Sequence, residues 1–151
     1  MKTICTISFI LLCSTVKSQS LTVNQTVDYI NKYLPQLLSG TGTLGAKIYN
    51  PKIECDMFGN ITYKATLDYP DEPGKYKKEI NHVFSVKDAN YIWVYATTYS
   101  DGSFAGYQIR IEKNKLSVPI FTFGITDKDD GEKVCKAFLH LKSITKADPF
   151  K

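Results

Sequence analysis

The sequence predicts an α+β protein: a strongly bent antiparallel β-meander or partial barrel of six to seven strands, with an N-terminal and a C-terminal helix. Two observations predict this class. Apolar residues recur at helical spacing after residue 22 and again after residue 130, whereas between about residues 46 and 125 they alternate with polar ones. Short turns interrupt the alternating region without any helical segment between them, and strands joined in this way pair antiparallel.

The first 18 residues have the features of a secretory signal peptide. Met1-Lys2 is a short basic start, residues 4–13 are almost entirely apolar, and residues 16–18 place short side chains at the positions that a signal peptidase reads. We expect cleavage after Ser18. Residues 19–151 would then be exported, to the periplasm or the medium, as a single domain.

Composition argues against functions in a membrane or on nucleic acid. The apolar run is about half of the ~20 residues that cross a bilayer, and no later segment comes closer. A lipid anchor on Cys13 is disfavoured because Leu12, which precedes it, is not small. Loss of Lys2 and Lys17 with the signal lowers the formal net charge from +4 to +2, and Arg110 is the only arginine. We therefore expect neither a transmembrane segment nor nucleic-acid binding.

A helix is predicted to begin after Thr22. Thr22 and Gln25 form a capping-box pattern, in which each side chain binds the backbone amide of the other residue. Apolar side chains then recur at helical spacing, at Val23, Val27, Ile30, Leu34, Leu37 and Leu38. Because Pro35 removes an amide donor, we expect the regular helix to end near Tyr33, followed by a second short turn and a loop over residues 40–45.

Turn signals divide the alternating region into strands. We predict strands at residues 53–57, 61–67, 80–86, 91–99, 104–112 and 116–125. In the first three, the alternating set is Ile53, Cys55, Met57, Ile61, Tyr63, Ala65, Leu67, Ile80, His82, Phe84 and Val86. The Asp101-Gly102 pair tolerates positive φ and is typical of a hairpin turn.

Residues 127–142 combine several acids with Cys135 and His140, and they are predicted to form a capped closing helix rather than a reactive site. Cys135 and His140 lie about 140° apart around a helix, so they cannot act as a nucleophile and its base. Asp129, with Glu132 three residues later, has the pattern of a helix N-cap. The acids lack the spacing of a hand-type calcium loop, which leaves an irregular calcium site as an alternative.

Removal of the signal leaves two cysteines, Cys55 and Cys135. In an exported chain such a pair can form a disulfide, which would stabilise the fold by roughly 4–5 kcal/mol in the chain-entropy model. The alternative is two buried thiols, because free cysteine is among the most buried residue types. The sequence leaves both possibilities open.

The candidate ligand-binding residues are four aromatic residues at odd-numbered positions, Tyr91, Trp93, Tyr95 and Tyr99. Alternate side chains of a strand point to one face. The favoured interpretation is that this face is core beneath the helices, and the alternative is a surface that binds sugar rings or apolar ligands. No catalytic residue, metal ligand or cofactor is predicted, because neither histidine has a second ligand at zinc spacing.

The layout resembles that of two groups of proteins. The leading "TVNQTVDYINKYL" helix, the short strands and the closing "GEKVCKAFLHLKSI" helix together resemble a group of small, uncharacterised exported bacterial proteins. Strands followed by one C-terminal helix are also similar to a pleckstrin-homology-like barrel. The resemblance implies a fold and carries no catalytic or ligand motif.

These observations favour an exported, non-catalytic binding or interaction module whose partner is a protein, a glycan or a small apolar ligand. One alternative is a lipocalin-like carrier of a small apolar ligand, which would need inward aromatic residues around a cavity. A small hydrolase is a third hypothesis, and it would need two carboxylates that converge in a cleft.

Overall fold

The computed structural model describes residues 21–34, 47–68, 77–115, 117–125 and 127–147. The predicted signal peptide, the short turn to Leu38 and the loop over residues 40–45 lie outside these ranges. The elements are α1 (Val23–Tyr33), β1 (Lys47–Cys55), β2 (Asn60–Asp68), β3 (Lys77–Ser85), a 3₁₀ turn (Val86–Asp88), β4 (Tyr91–Thr98), β5 (Phe104–Glu112), β6 (Phe121–Ile125) and α2 (Lys128–Ile144). The predicted α+β class and the two predicted helices are confirmed, and the described residues form six strands where six to seven were predicted.

The strands form two three-stranded antiparallel sheets, β1-β2-β3 and β4-β5-β6, rather than one continuous bent meander. Backbone pairing stops between β3 and β4, where the 3₁₀ turn intervenes. The Ser85 hydroxyl accepts a hydrogen bond from the Lys87 amide at the start of this turn, and Val86 and Ala89 are buried. The turn therefore redirects the chain instead of closing a hairpin, and the strands do not form a closed barrel.

The inward-facing residues of the first sheet follow the predicted alternation. Ile61, Tyr63 and Ala65 of β2 are buried, and their partners across the sheet include Ile53 and Phe84. Met57 is the exception, because it lies in the β1–β2 turn and is exposed. His82 is exposed as well, although its ring contacts the rings of Phe84 and Phe121.

Side chains join the two sheets where the backbone does not. Five rings form an interior aromatic cluster: Tyr63 and Phe84 from the first sheet, Phe121 and Phe123 from β6, and Phe138 from α2. Neighbouring ring centroids lie 4.6–5.7 Å apart, within the range of favourable aromatic contact. The cluster packs β6 against the inner face of the first sheet and, through Phe123, against α2.

Helix α1 begins with the predicted capping box. The Gln25 amide donates to the Thr22 hydroxyl at 3.3 Å, and the Thr22 amide donates to the Gln25 side chain at 2.9 Å. Asn31, in the last turn of α1, binds the free edge of β1: its side chain donates to the Ile53 carbonyl at 3.0 Å and accepts from the Ile53 amide at 2.8 Å. These two bonds satisfy backbone groups that face away from the sheet on an edge strand.

Helix α2 begins two residues earlier than the sequence predicts. The N-cap is Asp127, whose backbone is extended and whose carboxylate accepts from the Asp130 amide at 3.0 Å. The predicted cap, Asp129, therefore lies inside the first turn of the helix. A carboxylate can cap only from the residue where the backbone enters the helix, and three acids within four positions leave that residue undetermined in the sequence.

Two lysines attach the other end of α2 to the segment between the sheets. The Lys87 ammonium donates to the carbonyls of Lys142 and Thr145, each at 2.6 Å, and so satisfies two groups at the C-terminal end of the helix. The Lys142 ammonium in turn donates to the Ala89 carbonyl. The connection that separates the sheets is thus bound to the closing helix.

Asp127→Ala should lower the free energy of unfolding by about 0.5–2 kcal/mol, because the Asp130 amide loses its acceptor. Asp129→Ala is the matched control: it removes an exposed carboxylate from the same turn and should cost less, through the helix dipole alone. Urea denaturation of both variants measures the difference. A greater loss in Asp129→Ala would contradict the assignment of the cap.

Candidate functional site

Strand β4 has two sets of apolar side chains, and only one of them packs beneath α2. Ile92 is buried, and Val94 approaches Gly131 of α2 so closely that a Cβ on this glycine would lie 3.0 Å from a Val94 methyl carbon. The odd-numbered side chains therefore point away from the helix. Tyr91 is 43% exposed and Tyr95 is 37% exposed, with the half-buried Trp93 between them.

The interpretation of the four aromatic residues as core beneath the helices is wrong. The structure brings Tyr91, Trp93 and Tyr95 together on the outer face of the second sheet, whereas Tyr99 follows the end of β4 and is exposed in the turn. The reason is the register with β5, whose Ile109 and Ile111 are opposite Val94 and Ile92 and complete the buried set. The even-numbered face of β4 is the inner one.

The same register places three polar residues beside the rings. Glu112 is opposite Tyr91, Arg110 is opposite Trp93, and Gln108 is opposite Tyr95. We call the surface formed by these six residues the aromatic face. Residues directly opposite in an antiparallel pair have Cβ atoms about 4.5–5.5 Å apart, so each aromatic residue has a polar neighbour on the adjacent strand.

An ion pair lies at the centre of the aromatic face. The Arg110 Nε and Glu112 Oε1 atoms are 2.8 Å apart, and the side chains are 18% and 0% exposed, respectively. The Trp93 indole nitrogen donates to the second Glu112 oxygen at 3.2 Å, and the Arg110 Nη2 atom donates to the Ser117 carbonyl at 3.2 Å. The carboxylate thus binds both a guanidinium and an indole, which offsets the cost of burying its charge.

The ion pair also orients the rings. The Arg110 guanidinium carbon lies 5.1 Å from the centre of the Tyr95 ring, which is cation–π geometry. The Trp93 and Tyr95 rings meet edge to face, with centroids 5.4 Å apart. Trp93 and Tyr95 are therefore each held by contacts besides their own backbone, so this part of the outer face has a defined shape before any ligand binds.

Sequence reasoning missed Arg110 and Glu112. The signal available was the alternation of Gln108, Arg110 and Glu112 with Ile109 and Ile111, which predicts one polar face on β5. What the sequence lacks is the pairing that puts this polar face beside the tyrosines of β4. The composition of the site therefore depends on the pairing register of β4 with β5.

In the structure the half-buried Cys55 and the buried Cys135 are free thiols. Burial raises the pKa of Cys55 from 9.0 to about 11, with a smaller contribution from Asp56. Burial raises the pKa of Cys135 to about 12, with a smaller contribution from Glu132. Neither thiol has the lowered pKa of a reactive cysteine.

His140 and Asp130 of α2 have structural partners. His140 contacts the Leu21 carbonyl through Nε2 at 2.9 Å, and Asp130 pairs with Lys133 at 2.7 Å. In the part of the chain that the structure describes, no three His, Cys, Asp or Glu side chains are grouped so that they could hold a metal ion. None of the described helices is long and apolar enough to cross a membrane.

Comparison of the chain with protein-family models, with curated proteins and with solved structures finds no match.

Arg110→Met should lower the free energy of unfolding by about 3–5 kcal/mol, because it leaves the buried Glu112 carboxylate without its cation. Lys113→Met, which removes an exposed cation from the next turn, is the control and should change stability by less than about 0.5 kcal/mol. Chemical denaturation measures both. Equal effects of the two substitutions would contradict the ion pair as the support of this face.

At pH 8, Cys55 should react with a disulfide reagent about 100-fold more slowly than a free thiol, and Cys135 about 1000-fold more slowly, because the thiolate is the reactive form. Burial of the neutral thiols stabilises the fold fully below pH 9.0, and this contribution is lost as the pH rises towards 11 and 12. In denaturant without reductant, both thiols should react with the reagent immediately. If neither thiol reacts, Cys55 and Cys135 form a disulfide instead.

Proposed function

We propose that this protein is an exported, non-catalytic binding module whose ligand lies on the aromatic face of the second sheet. The observation that carries the proposal is the exposure of Tyr91 and Tyr95 on either side of Trp93, above a buried Arg110–Glu112 pair. Exposed aromatic side chains that are held in place by their neighbours are typical of binding sites, because little side-chain entropy remains to be lost on binding.

The interior of the domain favours a surface site over an enclosed one. A carrier of a small apolar ligand would need a cavity lined by the inward aromatic residues. In the interior aromatic cluster, however, neighbouring rings are already in contact, with centroids at 4.6–5.7 Å. No observation on the described residues favours the carrier or the hydrolase, whereas the aromatic face supports the binding module.

The proposal is tested by affinity capture with matched variants. Immobilised wild-type protein is incubated with medium and envelope fractions of the source cells, and retained protein and carbohydrate are both quantified. Tyr91→Ala and Tyr95→Ala should each reduce the retained material at least about tenfold, as expected for aromatic side chains central to a binding surface. Tyr49→Ala is the control, because Tyr49 is as exposed as Tyr91, 43%, but lies on the first sheet.

The three variants should have melting temperatures close to the wild type, since each removed ring is partly exposed. Capture that Tyr91→Ala and Tyr95→Ala leave unchanged, or that Tyr49→Ala reduces equally, would contradict the assignment of the binding surface.

A further inference from the structure

We infer that the ligand of the aromatic face is an uncharged oligosaccharide, which stacks its C–H faces on Tyr91 and Tyr95. The inference rests on the proposed function, because it names the ligand of that same surface. Three properties of the face support it: its charge, its composition and its length along β4.

The charges of the aromatic face are compensated within the face. Arg110 and Glu112 are its two ionised side chains, and they pair at 2.8 Å. The guanidinium also contacts the Ser117 carbonyl and the Tyr95 ring, and its side chain is only 18% exposed, so it is poorly placed to bind a phosphate, a sulfate or a carboxylate. An anionic polymer therefore finds no available cation on this face, and a cationic one finds no exposed carboxylate. Charge complementarity favours a neutral ligand.

The composition of the face fits a sugar better than a protein. The pairing register places Thr97, Gln108 and Thr122 on the same side of the sheet as the rings. These side chains are neutral and polar. Among the described residues from Tyr91 to Thr97 and their paired residues on β5 and β6, no aliphatic side chain lies on this side of the sheet. Protein interfaces usually have a more apolar, fully buried centre. A sugar ring alternates C–H faces with hydroxyl groups, which matches aromatic rings bordered by hydroxyls and an amide.

The length of the face indicates an oligosaccharide rather than a single sugar. A strand rises about 3.3–3.4 Å per residue, so Tyr91 and Tyr95 are separated by about 13 Å along β4. One sugar ring is shorter than this and could contact only one tyrosine. A chain of linked sugars could cover both tyrosines and the Trp93 edge between them.

The single tryptophan of the chain, Trp93, reports directly on this face by fluorescence. Oligosaccharides released from the polysaccharides of the source cells are separated by anion exchange into a neutral and an acidic fraction, and each is titrated into the full-length mature protein. The neutral fraction should shift Trp93 emission saturably. Oligomers should bind at least about tenfold more tightly than the monosaccharides from their hydrolysis.

Three variants distinguish loss of ring stacking at Tyr91 from a change in the stability of the fold. Tyr91→Ala should weaken binding of the neutral fraction about tenfold or more, and Tyr91→Phe, which keeps the ring, should restore most of the affinity. Tyr49→Ala should bind as the wild type does. Circular dichroism and melting temperature establish that each variant is folded before its titration is interpreted.

Each contrary outcome has a distinct meaning. Binding of only the acidic fraction, or of a protein fraction with the same sensitivity to Tyr91→Ala, would overturn the uncharged oligosaccharide and leave the binding module standing. If no fraction, protein included, binds in a manner sensitive to Tyr91→Ala, both the ligand and the proposed function are wrong.

Discussion

The interior aromatic cluster is the contact on which the rest of the fold depends. Hydrogen-bonded pairing ends between β3 and β4, so the two sheets share no backbone ladder. Phe121 contacts Tyr63 and Phe84 across the gap, and Phe123 contacts both Tyr63 and Phe138 of α2. Aromatic rings are suited to this role because each buries a large area and keeps a preferred angle to its neighbour. The cluster therefore unites two sheets and a helix into one core.

The position of the cluster also determines what the outer face contains. Once Phe121 and Phe123 point inwards, the register of β6 with β5 turns Ile111 and Ile109 inwards with them. Strand alternation then forces Arg110 and Glu112 to the other side, opposite Trp93 and Tyr91 of β4. The aromatic face is thus the reverse side of the core, so a change in the packing of the rings inside would alter the surface outside.

The sequence predicts the parts of the fold that depend on local interactions. The capping box of Thr22 and Gln25 and the bounds of β5 are confirmed, because caps and alternation act between near neighbours. The division into two sheets was missed, since it depends on the buried 3₁₀ turn at Val86 and not on turn composition. For β4 the pattern is ambiguous: Ile92 and Val94 are as apolar as Tyr91, Trp93 and Tyr95 on the other side. Only β5, with one polar set and one apolar set, decides which side is inside.

The buried ion pair makes the aromatic face specific as well as stable. Well-packed apolar residues often replace a buried pair without loss of stability, so stability alone does not account for Arg110 and Glu112. What an apolar pair could not provide is the directional contact of Glu112 with the Trp93 indole and of Arg110 with the Tyr95 ring. The pairing of Arg110 with Glu112 also neutralises both charges. One interaction therefore orients the Trp93 and Tyr95 rings and removes net charge from the surface between Tyr91 and Tyr95, two properties that favour stacking of an uncharged, hydroxyl-rich ligand.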